Sequence, residues 1–97
     1  MRVLLTGSSG KIGSAIARFL CNKVEIVGID IRPGPFTTAL VDIREKEKIL
    51  EQVKEVDAVI HSAALLTPHV GFFSEDEFWQ VNVKGTENLL EACRKHH

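Results

Sequence analysis

The stretch from Val3 to Asp30, VLLTGSSGKIGSAIARFLCNKVEIVGID, constrains the fold more than any other part of the chain. An apolar run, Val3 to Leu5, breaks into a glycine-rich turn carrying Gly7, Gly10 and Gly13. Ile12, Ala15, Ile16, Phe19 and Leu20 then recur at helical spacing. A second apolar run, Val24 to Ile29, ends on Asp30. Strand, turn, helix, strand and terminal acid, in that order, are the pattern of a dinucleotide-binding βαβ unit.

The chemistry of such a unit explains its residue types. Gly7 lets the chain turn sharply out of the strand, and Gly10 lets backbone amides approach a pyrophosphate. Gly13 allows the helix to lie tightly on the sheet. The amides of the first helical turn and the positive end of the helix dipole then hold the anion. Ser9 lies within this turn and joins its candidate contacts. Asp30 is placed to accept hydrogen bonds from the 2′- and 3′-hydroxyls of an adenosine ribose. The competing reading is a tight strand-to-helix turn with no ligand. A P-loop is excluded, because Lys11 is followed by Ile12 rather than Ser or Thr.

At 97 residues the chain suits one small domain, and 44% hydrophobic content argues against disorder. A net charge of −1 provides no electrostatic footprint for nucleic acid or an anionic membrane. No apolar run reaches membrane-spanning length. Met1 leads directly into the first strand without room for a signal peptide, so a cytoplasmic location is expected. Cys21 and Cys93 read as ordinary buried thiols of a reducing compartment.

The first helix is expected from Lys11 to Cys21, with Asn22 as a left-handed stop. The second strand reads as buried on both faces. A loop through Pro33, Gly34 and Pro35 leads to a short strand, Ala39 to Val41, ending at Asp42 and Ile43. Arg44 to Val53 is a surface helix with Ile49, Leu50 and Val53 inward. Asp57 to His61 is the fourth strand, followed by Ser62, Ala63 and Ala64. Leu65 to Phe73, with Pro68 and Gly71, is a loop. Ser74 and Glu77 form a capping box that opens a last helix reaching the C-terminus. One of its stripes (Phe78, Val81, Asn82, Gly85, Leu89, Ala92, Cys93) should face the sheet. Alternating strands and helices predict an α/β, Rossmann-type doubly wound parallel sheet, partial, with order 3-2-1-4 and helices on both faces.

The segments TGSSGKIG, DIRE, DAVIHSAA and NVKGTENLLEA, with the acid after strand two, resemble the extended short-chain dehydrogenase/reductases. More narrowly, the chain is similar to the NAD-dependent epimerase/dehydratase family, whose members act on nucleotide sugars and related alcohols. The resemblance covers nearly all of this chain and about the first third of a typical member. It implies NAD, with NADP the lesser alternative, as cofactor. By that resemblance Gly7, Gly10 and Gly13 are the phosphate-turn glycines, with Lys11 and Ile12 as the following amides. Asp30 is the ribose acid, flanked by Ile31 and Arg32, and Asp42 and Ile43 bracket the adenine. Ser62, Ala63 and Ala64 are the small residues over which the cofactor lies, and Asn82 is a helix asparagine near the centre of the fold.

Structural readings compete at several of these positions. Asp42 also suits an N-cap, and Asn82 suits a polar group satisfied by neighbouring backbone. Gly85 reads as a close packing contact and His61 as a strand-end packing residue. His69 borders the substrate region in the family and equally suits a solvated loop. His96 and His97 are poor chelators at an expected frayed end.

The family's chemistry uses a Tyr-x-x-x-Lys pair, and this sequence contains no tyrosine. The expectation is therefore an NAD(P)-binding half-domain over residues 1–97, the N-terminal part of a larger enzyme and inactive alone. A non-catalytic nucleotide-sensing or interaction module is the alternative. A second helix stripe, Trp79, Val83, Thr86 and Leu90, widens the apolar arc to about 200°, where a helix on a sheet needs roughly 100°. It predicts a homodimer through that helix, the alternative being packing against a next helix of the same chain.

Overall fold

The structure is a computed structural model and describes residues 1–65, 69 and 71–96. Its strands are β1 (Arg2–Thr6), β2 (Glu25–Asp30), β3 (Ala39–Leu40) and β4 (Ala58–His61), and its helices begin with α1 (Lys11–Leu20) and α2 (Lys46–Val53). The last helix comprises α3 (Glu75–Trp79), a π-helical segment (Gln80–Lys84) and α4 (Gly85–His96), joined through right-handed helical backbone at both junctions. All strand pairs are parallel, in the order β3-β2-β1-β4. The Rossmann-type half-sheet expected from the sequence is therefore present.

Strand alternation sorts the core into two layers. Leu4 and Ile29 join Val41, Ile43, Ile49, Val53, Leu89 and Ala92 in one cluster, the face covered by α2 and α4. Val3 and Leu5 are equally buried but point the other way, toward α1. Each buried Leu, Ile or Val of this kind contributes about 1.5–3 kcal/mol. At the α2–α4 contact, a Cβ on Gly85 would lie 2.6 Å from Ile43, so Gly85 marks close packing as expected.

Helix α1 meets the sheet through its small residues. Gly13 and Ala17 are buried, whereas Ile12 and Phe19 are 62% and 70% exposed. The apolar periodicity identified the helix correctly but not its inner face. Close approach of the backbone pushes the larger side chains to the flanks.

Other expectations are corrected. No non-glycine residue has positive φ among the described residues, so Asn22 is not a left-handed stop; Lys23 and Val24 N–H groups bond the Leu20 carbonyl instead. Strand β2 is buried only at Gly28 and Ile29, because β3 pairs with Ile29 and Asp30 alone and leaves the earlier half an edge. Helix α2 starts at Lys46 rather than Arg44. Cys21 is exposed and Cys93 half-buried, the latter with its thiol pKa pushed up by burial. The capping box is present, with Glu77 N–H donating to Ser74 Oγ at 3.1 Å and Ser74 N–H to Glu77 Oε1 at 3.1 Å. The helix it opens runs to His96 with no break, and its π-helical turn has no signature in apolar periodicity. Pro68 and His97 lie outside the described residues.

The glycine turn supplies a direct test. A Cβ on Gly13 would overlap the Gly7 carbonyl, whereas one on Gly10 would stop 3.3 Å from it. Gly13→Ala is expected to destabilise the chain by about 1–3 kcal/mol in urea unfolding despite alanine's better helix propensity. Gly10→Ala should cost clearly less; equal stability of Gly13→Ala and wild type would contradict this packing.

Candidate functional site

The turn between β1 and α1 presents an uncapped helix end. Gly10 occupies the N-cap with extended backbone (φ −79°, ψ 171°), makes no side-chain cap, and no acid follows in the first turn. The amides of Lys11, Ile12 and Gly13 thus open the helix without intrahelical acceptors, at the positive end of its dipole. Lys11 and Ile12 are exposed there. Gly7, with φ +72°, turns the chain and abuts Ser62 and Ala63. A side chain at Gly7 would both strain the backbone and strike Ala63.

Asp30 is bound into the same turn. One carboxylate oxygen accepts the Ser9 N–H at 2.9 Å, and the other accepts those of Ile31 (2.7 Å) and Arg32 (3.1 Å). Three of roughly four lone-pair sites are used, which leaves the carboxylate capacity for one further donor. Ser9 itself faces inward, its hydroxyl donating to the Arg32 carbonyl at 2.7 Å. The Arg32 side chain is exposed and forms no ion pair among the described residues.

Beyond Asp30 lies a cavity of about 130 Å³. Gly7, Ile29, Asp30 and Ile31 form its floor, Val41 to Arg44 one wall, and Ala63 to Leu65 the other. Phe73, Glu77 and Val81 close it from the last helix. Apart from Asp30, Asp42, Arg44 and Glu77, its side chains are apolar, as suits a flat aromatic group.

Asp42 and Arg44 make a forked pair, Nη2 to Oδ2 at 2.6 Å and Nε to both oxygens at 3.1 Å. Asp42 also accepts the Arg44 N–H at 2.9 Å, and its own N–H donates to Glu45 Oε1 at 3.0 Å. This is a reciprocal turn ahead of α2, whose N-cap is Glu45. The hydrogen bond from Arg44 holds the Asp42 carboxyl below its ordinary range, against the opposing effect of burial.

Ser62 and Asn82 serve the site through backbone. Ser62 Oγ donates to the Thr6 carbonyl at 2.6 Å. The Asn82 amide takes both Leu65 groups, accepting its N–H and donating to its C=O, each at 2.8 Å. Asn82 thus sets the cavity wall by holding Leu65. Gly7, Asp30, Ile31, Asp42, Ile43, Ala63 and Ala64 gather at the cavity, while Ser9, Gly10, Lys11, Ile12, Gly13 and Arg32 do not line it. Sequence reasoning missed Arg44, Phe73 and Glu77 as lining residues, along with the apolar Ile29, Val41, Leu65 and Val81. The two-residue spacing of Asp42 and Arg44 carried a signal for the first; Glu77 read only as a cap.

A profile of the NAD dependent epimerase/dehydratase family matches residues 3–97. The chain belongs to that family. It is 33% identical to a 3-beta-hydroxysteroid dehydrogenase of Mycolicibacterium neoaurum, over 94% of this chain and 28% of that protein. Its fold superposes on the structure of MoeE5 in complex with UDP-glucose and NAD, with a TM-score of 0.86 and 30% identity, over 99% of this chain and 33% of that one. It also superposes on a dTDP-glucose 4,6-dehydratase of Streptomyces venezuelae with NAD bound, with a TM-score of 0.84 and 26% identity, over 99% of this chain and 36% of that one. The chain thus spans about a third of the length of these relatives. No helix among its described residues is long and apolar enough to cross a membrane.

The Asp42 pair predicts an acid dependence. A folded-state pKa below the unfolded one contributes stability that is full above about pH 4 and is lost as pH falls through the folded value. Arg44→Ala should raise the Asp42 midpoint toward about 3.9, read by carbon-13 carboxyl titration. An unchanged midpoint would show that Arg44 is not the cause.

Proposed function

We propose that this chain binds NAD as the cofactor half-domain, over residues 1–97, of an epimerase, dehydratase or related dehydrogenase. The observation that carries this reading is the uncapped N-terminus of α1, joined through Ser9 to the Asp30 carboxylate. The pyrophosphate is held by the turn of Gly7, Ser9 and Gly10 and by the amides of Lys11, Ile12 and Gly13. Asp30 takes a ribose hydroxyl, with Ile31 and Arg32 beside it. The adenine enters the cavity between Asp42–Ile43 and Ala63–Ala64, with Ser62 and Asn82 supporting that wall. When bound, NAD supplies hydride transfer; the protein's share is position and proton movement. These 97 residues contain no tyrosine, so the Tyr-x-x-x-Lys pair of the resembled chemistry does not come from them.

NAD is expected to bind at least about tenfold tighter than NADP, a difference of ~1.4 kcal/mol. Asp30 would repel a 2′-phosphate, and the exposed Arg32 offsets part of that repulsion. Isothermal titration of both cofactors measures the gap, and Asp30→Ala should narrow it. Tighter binding of NADP would refute the assignment.

The same reading includes a homodimer through the last helix. Trp79, Val83 and Leu90 are 48%, 39% and 65% exposed on it, and Thr86 lies half-buried between them. Trp79→Glu combined with Leu90→Glu is expected to yield a monomer by sedimentation. Wild-type chain that sediments as a monomer at tens of micromolar would overturn this part of the proposal.

A further inference from the structure

A chain of hydrogen bonds crosses from β1 through β4 to the last helix. Thr6 is fully buried. Its Oγ1 stands 3.1 Å from the Ser62 N–H donor, 3.1 Å from that of Ala63, and 2.6 Å from His61 Nδ1. A hydroxyl offers two acceptor lone pairs and one proton. The Ala63 amide takes one lone pair, and the Ser62 amide, which also reaches the Thr6 carbonyl at 3.3 Å, is directed at the other, which leaves the Thr6 proton for His61 Nδ1. That nitrogen is therefore unprotonated, and the neutral ring carries its hydrogen on Nε2.

The far side of the ring agrees. His61 Nε2 lies 3.0 Å from Thr86 Oγ1, which donates its own proton to the Asn82 carbonyl at 2.7 Å. Asn82 in turn clamps both backbone groups of Leu65. Burial also lowers the His61 pKa, in keeping with a neutral ring. Among the described residues, His61 to Thr86 is the one hydrogen bond between β4 and the last helix.

We propose that His61, locked as the Nε2–H tautomer, is a positioning residue that holds the Ser62–Leu65 wall in place by joining Thr6 to Thr86. One end of that wall hangs on Thr6 through the Ser62 and Ala63 amides. The other hangs on Asn82, in the π-helical turn, through Leu65. Only a rigid ring with an acceptor at δ and a donor at ε spans the two hydroxyls. The Thr86 bond to the Asn82 carbonyl, four residues earlier, ties this bridge to the helix backbone at the widened turn. All of these contacts lie within the chain itself and do not depend on the identity of the cofactor.

The test uses the nitrogen-15-labelled chain without ligand, near neutral pH. Long-range proton–nitrogen correlation should show His61 Nδ1 unprotonated and Nε2 protonated. An Nδ1–H ring, or fast averaging between tautomers, would overturn the proposal. His61→Phe should speed amide exchange at Ser62, Ala63 and Leu65 by about tenfold, the loss of one hydrogen bond's net worth, with core strand amides unchanged. His61→Asn, which keeps an acceptor for Thr6, should restore Ser62 and Ala63 but not Leu65. Uniform loosening of the whole chain, or an unmoved Leu65, would refute a positioning role. Should His61→Phe fail to fold, Thr86→Val decides the matter: it should raise exchange at Leu65 alone and leave Nδ1 unprotonated.

Discussion

Everything in this fold depends on how closely the first helix sits on the turn that precedes it. The Gly7 carbonyl occupies the space that a side chain at Gly13 would need, and Ala63 occupies the space beside Gly7. With no Cβ at either position, α1, the turn and the end of β4 can share one small volume. That approach aims the unpaired amides of the first helical turn across the ends of the strands. A wider turn would still make a sheet, but its amides would no longer converge with Asp30.

The second layer serves the same end by burial. Helices α2 and α4 close on Leu4 and Ile29 through Ile43, Ile49, Val53 and Leu89, and Gly85 lets α4 reach Ile43. This packing brings the Asp42–Arg44 pair beside the cavity and sets Glu77 and Val81 over its rim. The apolar core thus fixes the position of polar groups that contribute little to stability themselves. A partly exposed pair such as Arg44 with the half-buried Asp42 orients more than it stabilises.

Polar bonds then settle what packing leaves loose. Asp30 is shared among three backbone amides, and Thr6, His61, Thr86 and Asn82 are joined by one run of hydrogen bonds across the sheet. Every buried side-chain polar atom of the described residues has a partner. In a buried site an unpaired group costs about 1–3 kcal/mol, so such networks admit few alternative arrangements.

The order and type of elements, the parallel sheet, the capping box and the role of Gly85 were all legible in the sequence, because glycine placement and apolar period are local properties of the chain. The glycine turn and the acid at the end of β2 were legible for the same reason. Only the tertiary structure decided which face of α1 is inward, since small residues gain burial by letting backbones approach, an effect periodicity does not record. It alone showed the half-exposed β2, whose partner strand is too short to cover it. It alone placed Arg44 and Glu77 at the cavity, and gave His61 two partners, Thr6 and Thr86, from far along the chain. Those contacts join residues that are distant in sequence, and nothing in their local neighbourhoods encodes the meeting.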